Sequence, residues 1–170
     1  MGFLSPEVIA SNLCNVVPGA TPYHFGVLTS TMHMAWVRQV CGRLKSDYRY
    51  SAKLVYNNYP WPMEATKAQK ARVAECAGRV LSARQGDLDK GATLADLYDP
   101  LTMPAPLLQA HQKLDRAVDR CYRAKPFANE RERVEYLFQL YEQITAPLAP
   151  TPPRKKARRP GRSSTVRRAK

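Results

Sequence analysis

With 170 residues, 44% of them hydrophobic, the chain is long enough to bury a core, as one domain or two small ones. Its net charge of +13 is unevenly spread: residues 151–170 hold nine Lys or Arg and no acid, leaving 18 basic and 14 acidic side chains in the first 150 residues. No run of 18 apolar residues suits a membrane span, the opening MGFLSPEVIA lacks the positive flank of a signal peptide, and Cys14, Cys41, Cys76 and Cys121 are too far apart for a zinc motif. These features exclude a membrane protein or disulfide scaffold and point to a cytoplasmic chain whose reduced thiols serve as small hydrophobes.

In chain order, Cys14–Pro18 and Phe25–Thr29 read as short strands around the turn PGATP. Ser30 is placed to cap a helix from about Thr31 to Cys41, with Ala35, Trp36, Val37, Val40 and Cys41 on its buried side and Gly42 at its end. GRLKSDYRYSAKLVYNNYPWP, Gly42 to Pro62, then reads as turn, short strand and proline-stiffened exit, with Lys53–Asn57 a further strand candidate. Composition changes near Met63. Thr66 and Gln69 form a capping box, and Ala68, Val73, Cys76, Ala77, Val80 and Leu81 trace the apolar stripe of a helix ending near Gly86.

Leu94, Leu97 and Tyr98 suggest a helical turn before Pro100. A second long helix should run from about Pro104 to Arg123, with Leu107, His111, Leu114, Val118, Cys121 and Tyr122 on one side. Asn129 and Glu132 cap a third through Ile144, with Val134, Leu137, Phe138 and Tyr141 facing inward. The expected fold class is α+β: a small mixed part over 1–62, a three-helix module over 63–150 and a disordered Lys/Arg-rich tail over 151–170. Such a tail favours anionic partners and salt-sensitive, sequence-independent affinity for DNA.

The chemistry concentrates in Gly42–Pro62. Lys45 and Asp47 flank Ser46, and such a pair can present one donor and one acceptor to a single base pair. Lysine donates to guanine O6 or N7, and aspartate accepts from cytosine N4. Arg38, Arg43, Arg49 and Lys53 have the chemistry for phosphates, which position a protein without reading sequence. Tyr48 and Tyr50 share a face if the segment is extended, and all four tyrosines suit either stacking on DNA or packing with Trp36 and Trp61, packing being the stronger reading for Tyr56 and Tyr59.

Catalytic arrangements are missing. His24, His33 and His111 have no spaced metal-ligand partners, and Met32 and Met34 beside His33 suit a helix start filled with core residues. His111 on an apolar stripe reads as a partly buried, hydrogen-bonded histidine. No serine lies in a nucleophile elbow, and Asp87, Asp89, Asp96 and Asp99 sit where turns and caps need them. There is no glycine-rich turn for a dinucleotide, S-adenosylmethionine or phosphates, and NNYPWP lacks the consecutive prolines of an amino-methyltransferase tetrad.

YHFGVLTSTMHMAWVRQVCGRLKSDYRYSAKLVYNNYPWP (Tyr23–Pro62), with LADLYDPLTMP (Leu94–Pro104) and LDRAVDRCY (Leu114–Tyr122), resembles the C-terminal end of the Type IIG/IIL single-chain restriction–modification enzymes and adenine-N6 DNA methyltransferases. The resemblance runs from about Pro6 to Pro150. It implies the last part of a target-recognition domain followed by a helical region, with no counterpart here of nuclease, cofactor loop or catalytic tetrad. It also implies that Lys45 faces guanine and Asp47 the paired cytosine. The expected partners are double-stranded DNA and a missing methyltransferase domain or upstream subunit, with no membrane. No cofactor is expected in this chain, and S-adenosylmethionine belongs to the parent enzyme. The alternative is a free-standing DNA-binding or accessory remnant. An unrelated upstream reading frame would favour it over a split enzyme.

Overall fold

The computed structural model describes residues 1–146, so the basic stretch at 151–170 lies outside the described residues. The order of elements is α1 (Pro22–Leu28), α2 (Thr31–Val40), β1 (Gly42–Leu44), β2 (Asp47–Arg49), a π-helical turn (Ala52–Tyr56), α3 (Lys67–Leu88), α4 (Leu94–Leu97), α5 (Ala105–Tyr122) and α6 (Glu130–Thr145). The two strands form one antiparallel pair, and the rest of the regular structure is helical. The α+β class holds, with far more helix than strand.

Three expected strands are absent. Cys14–Pro18 is irregular, with a bend at Cys14 and a turn starting at Pro18. Phe25–Thr29 falls mostly within α1, where Pro22 occupies the first turn and the Thr21 backbone N–H donates to His24 Nδ1 at 3.1 Å. A short, continuous apolar run suits a buried helix as well as a buried strand, and packing decides between them. Here Phe25, Gly26, Val27 and Leu28 are all buried, and α1 packs on α3.

Lys53–Asn57 lies largely in the π-helical turn because its carbonyls find helical partners. Asn57 N–H donates to Ala52 O at 2.9 Å, the Asn58 amide donates to Lys53 O and Leu54 O at 2.9 and 3.1 Å, and Trp36 Nε1 donates to Val55 O at 3.1 Å. A strand would leave the buried Val55 carbonyl to be satisfied some other way.

The caps act where the sequence places them. Ser30 Oγ accepts from His33 N–H, Thr66 and Gln69 form a capping box on α3, and Asn129 Oδ1 accepts from Glu132 N–H on α6. Thr93 and Asp96 form another on α4, and Asp99 accepts from Leu101 N–H in a turn. Helix α3 continues past Gly86 to Leu88. On α6 Leu137 is fully buried, while Phe138 and Tyr141 lie against Trp36 with ring centroids 5.2 and 5.7 Å away.

One core crosses the boundary between residues 62 and 63. Phe25, Val27, Met32 and Trp36 from the first part share it with Val73, Ala77, Leu114 and Leu137 from the second. Helix α3 packs on α1 and α5, and α2 packs on α6. Polar anchors fix these contacts. Asp115 accepts from Thr31 N–H at 2.8 Å, holding the start of α2 to α5, and burial pushes its carboxyl upward in pKa. Asp119 takes both bonds of Arg133, at 3.0 and 2.6 Å, between α5 and α6. Tyr122 donates to Tyr59 Oη at 2.6 Å, pinning the YPWP exit to α5.

Gly26 sets the α1–α3 approach. A Cβ there would meet Val73 Cγ1 at 2.8 Å, Leu114 Cδ1 at 3.1 Å and Ala77 Cβ at 3.3 Å. Gly26→Ala is therefore expected to destabilise the chain by about 1–2 kcal/mol, since overpacking outweighs the gain in helix propensity. Urea unfolding should show a lower midpoint at unchanged slope. Adding Val73→Ala should recover part of the loss, and an unshifted midpoint for Gly26→Ala would refute the close approach.

Candidate nucleic-acid interface

Helix α2 ends at Val40, and the chain leaves its cap at Cys41 directly into the hairpin. Gly42 pairs with Arg49, Arg43 with Tyr48 and Leu44 with Asp47, so Lys45 and Ser46 form a two-residue loop. Lys45 has φ of 56°, and it is the one non-glycine residue with positive φ among the described residues. Positive φ at the first loop position alone is the signature of a type II′ turn, where glycine is usual. A lysine there costs on the order of 1–2 kcal/mol of backbone strain. Strain retained at an exposed tip directs attention to the side chain that it presents.

All eight residues from Gly42 to Arg49 are exposed on both faces of the ribbon. Cross-strand pairing puts Arg43 and Tyr48 on one face, and Leu44, Asp47 and Arg49 on the other. The Arg43 guanidinium lies 3.9 Å from the Tyr48 ring centroid and donates to Tyr48 Oη at 3.1 Å and Ser46 O at 3.0 Å. This clamp stiffens the ribbon. Lys45 projects from the tip, and Asp47 begins the returning strand.

The far end of the ribbon is tied to the core. Tyr50 Oη lies 3.0 Å from Nε2 of His33, and the His33 ring meets the Tyr59 ring edge-on at 4.6 Å. His33 is fully buried, and burial drives its pKa down to about 4, so it is neutral at pH 7. Burial likewise pushes Tyr50 up to about 12. Tyr50 thus anchors the hairpin, while Tyr48 stays on its surface.

The residues singled out from sequence separate into two groups. The hairpin gathers Arg43, Lys45, Asp47, Tyr48 and Arg49. Arg38 lies outside it, ion-paired with Glu130 on α6, and Lys53 is exposed on the π-helical turn. All five basic residues of the first 60 fall between Arg38 and Lys53, against Glu7 and Asp47 as the acids of that stretch. The role of His33 as an anchor escaped sequence reading, because a histidine amid core residues carries no local mark of its distant tyrosine partner. Among the described residues no group of three His, Cys, Asp or Glu side chains is arranged to hold a metal ion, and no helix is long and apolar enough to cross a membrane.

Comparison with known proteins places this geometry. The family described as "MmeI, target recognition domain" matches residues 1–63, and "MmeI, C-terminal domain" matches residues 65–149. The chain belongs to the MmeI family. Within it, the exposed hairpin falls in the part matched by the target recognition domain. The chain is 46% identical over 145 residues to DNA methyltransferase A of Bacillus subtilis (strain 168), a match covering 85% of this chain and 16% of that protein. It is also similar to the Type IIL restriction–modification enzyme MmeI, solved in complex with DNA. That match has 48% sequence identity and a TM-score of 0.71, and covers 76% of this chain and 17% of the other. The chain thus spans about a sixth of the length of these relatives.

Proposed function

We propose that this chain reads duplex DNA as the target-recognition and C-terminal part of an adenine-N6 DNA methyltransferase of the restriction–modification type. The carrying observation is the exposed, basic hairpin with its strained Lys45 tip, in a chain of the MmeI family. A two-stranded ribbon is a shape that the major groove admits. An isolated ribbon gains little from its own strands, and burial against DNA would supply the missing contacts.

In this reading Lys45 donates to guanine and Asp47 accepts from the N4 amino group of the paired cytosine. Arg49 and Lys53 contact phosphates, and Arg43 adds its remaining donors while clamped to Tyr48. Arg38 reaches a phosphate by sharing or leaving Glu130, which weakens its claim relative to the others. Tyr48 offers its free ring edge to the sugar–phosphate backbone. Tyr50 contributes by holding the ribbon. The methyltransferase region of the parent enzyme would bind S-adenosylmethionine and receive the flipped adenine, with this chain orienting the duplex.

The test is amide hydrogen exchange of the full chain with and without a 20-base-pair duplex. Slowed exchange over Gly42–Tyr50, weakening with added salt, is the expected result. Duplex binding that leaves those amides unchanged would reject the hairpin as the contact surface.

A further inference from the structure

Arg84 of α3 is 7% exposed, and its charge has no carboxylate partner among the described residues. Its Nε donates to Tyr98 Oη at 2.6 Å and one terminal nitrogen donates to Met1 O at 3.0 Å. The Phe25 and Tyr98 rings lie 5.2 and 4.9 Å from the guanidinium carbon. Every one of these partners is neutral. Arg133, also largely buried, has both bonds of Asp119. A buried guanidinium recovers its lost hydration only with good compensation, and a carboxylate supplies it best through two parallel bonds.

The space beside Arg84 is a cleft of about 390 Å³, walled by Met1, Leu28, Thr29, Met34, Leu94, Tyr98 and His111. The Tyr98 hydroxyl also lies 2.7 Å from His111 Nε2, and the Thr29 hydroxyl donates to Phe25 O at 2.7 Å, so these polar side chains of the wall are already engaged. The field of Arg84 reaches that wall: burial lowers the His111 pKa, and the arginine lowers it further. Nearby Asp96 is spent on capping Thr93.

We propose that the Arg84 cleft docks an acidic side chain of the polypeptide that precedes this region in the longer MmeI-family enzymes. Arg84 commits Nε to Tyr98 and one terminal nitrogen to Met1 O, and the donors it keeps suit a carboxylate on a hydrocarbon stem better than a phosphate, which favours several converging donors. Its border is apolar and exposed, with Met1 and Leu94 of the lining exposed by 61% and 48% and Phe3, 49% exposed, lying against Phe25. A polypeptide surface would cover such a border, whereas a small free acid would leave it open. The match of residues 65–149 to a C-terminal domain puts the additional length of the relatives upstream. This inference is independent of DNA reading by the hairpin.

The experiment titrates the full chain with the capped peptide acetyl-Leu-Glu-Leu-amide, its glutamine analogue, and sodium hexanoate, following the Tyr98 and His111 ring signals by NMR. The glutamate peptide should shift both rings and bind about tenfold more tightly than hexanoate, because its leucines add apolar contact. The glutamine analogue should not bind. Arg84→Met should abolish peptide binding without lowering the thermal midpoint, since an apolar residue tolerates burial better than an unpaired charge. Arg84→Lys should bind about tenfold more weakly, having charge without the fork. Equal affinity for hexanoate and peptide would make this a small-acid site and overturn the polypeptide assignment. Binding of the glutamine analogue, retention of binding in Arg84→Met, or no shift at all would overturn the carboxylate site.

Discussion

Lys45→Glu combined with Asp47→Arg is expected to convert the preference at one base pair from guanine–cytosine to cytosine–guanine. The hairpin register leaves the two side chains at fixed places on an exposed tip, so the exchange moves donor and acceptor across while the scaffold stays. Each well-aligned contact of this kind contributes on the order of 1–3 kcal/mol of discrimination. The measurement is methylation across a duplex library with each base randomised in turn, using the chain fused to the upstream portion of a family relative. Lys45→Glu alone should mainly weaken modification, because one base edge loses its donor. Lys45→Gly separates reading from folding: it suits the positive φ at the tip, so it should stabilise the hairpin while erasing the preference. Arg49→Ala should weaken all sites about equally, as expected of a phosphate contact. A uniform loss of activity in the double exchange, with no movement of base preference, would rule out these residues as readers.

The second large effect is acid sensitivity carried by His33. Its folded pKa of about 4 lies below the ordinary value of 6.5, because burial penalises the imidazolium. Between pH 6.5 and 4 the unfolded chain takes up a proton that the folded chain does not. Stability is therefore fully present above pH 6.5 and is lost as pH falls toward 4, by about 3 kcal/mol from this one group. Below pH 4 the histidine adds no further loss. Denaturant unfolding at pH 7 and pH 4 should show the loss in the parent, and His33→Leu should lose about 3 kcal/mol less over the same interval. Asp115, whose carboxyl burial pushes upward, works in the opposite direction in both proteins and cancels in the comparison. Parallel pH profiles would remove His33 as the source. The acid limb also bears on the hairpin, since His33 is the group that holds Tyr50.

Local chemistry made much of the molecule legible beforehand. Capping residues at Ser30, Thr66 and Asn129 announced three helix starts, because a cap is satisfied by an amide two or three residues away. The stripes on α3 and α5 followed from helical periodicity, and the long segment Tyr23–Pro62 carried the family. Lys45 and Asp47 stood out because a donor and an acceptor two residues apart suit one base pair. Tertiary contact decided the rest. Phe25–Leu28 became helix because Gly26 lets α1 approach Val73 and Leu114, and the turn at Ala52–Tyr56 became π-helical because Trp36 and Asn58 take its carbonyls. Arg38 turned to Glu130, 92 residues onward, and Tyr50 turned to His33. The sequence by itself determined which residues can cap helices, form apolar stripes and offer a donor beside an acceptor, since those properties depend on neighbours within a few positions. The placement of the hairpin, its anchor and the arginine of the cleft depended on packing between distant segments, where the same short apolar or charged string has several good local conformations and the core selects one.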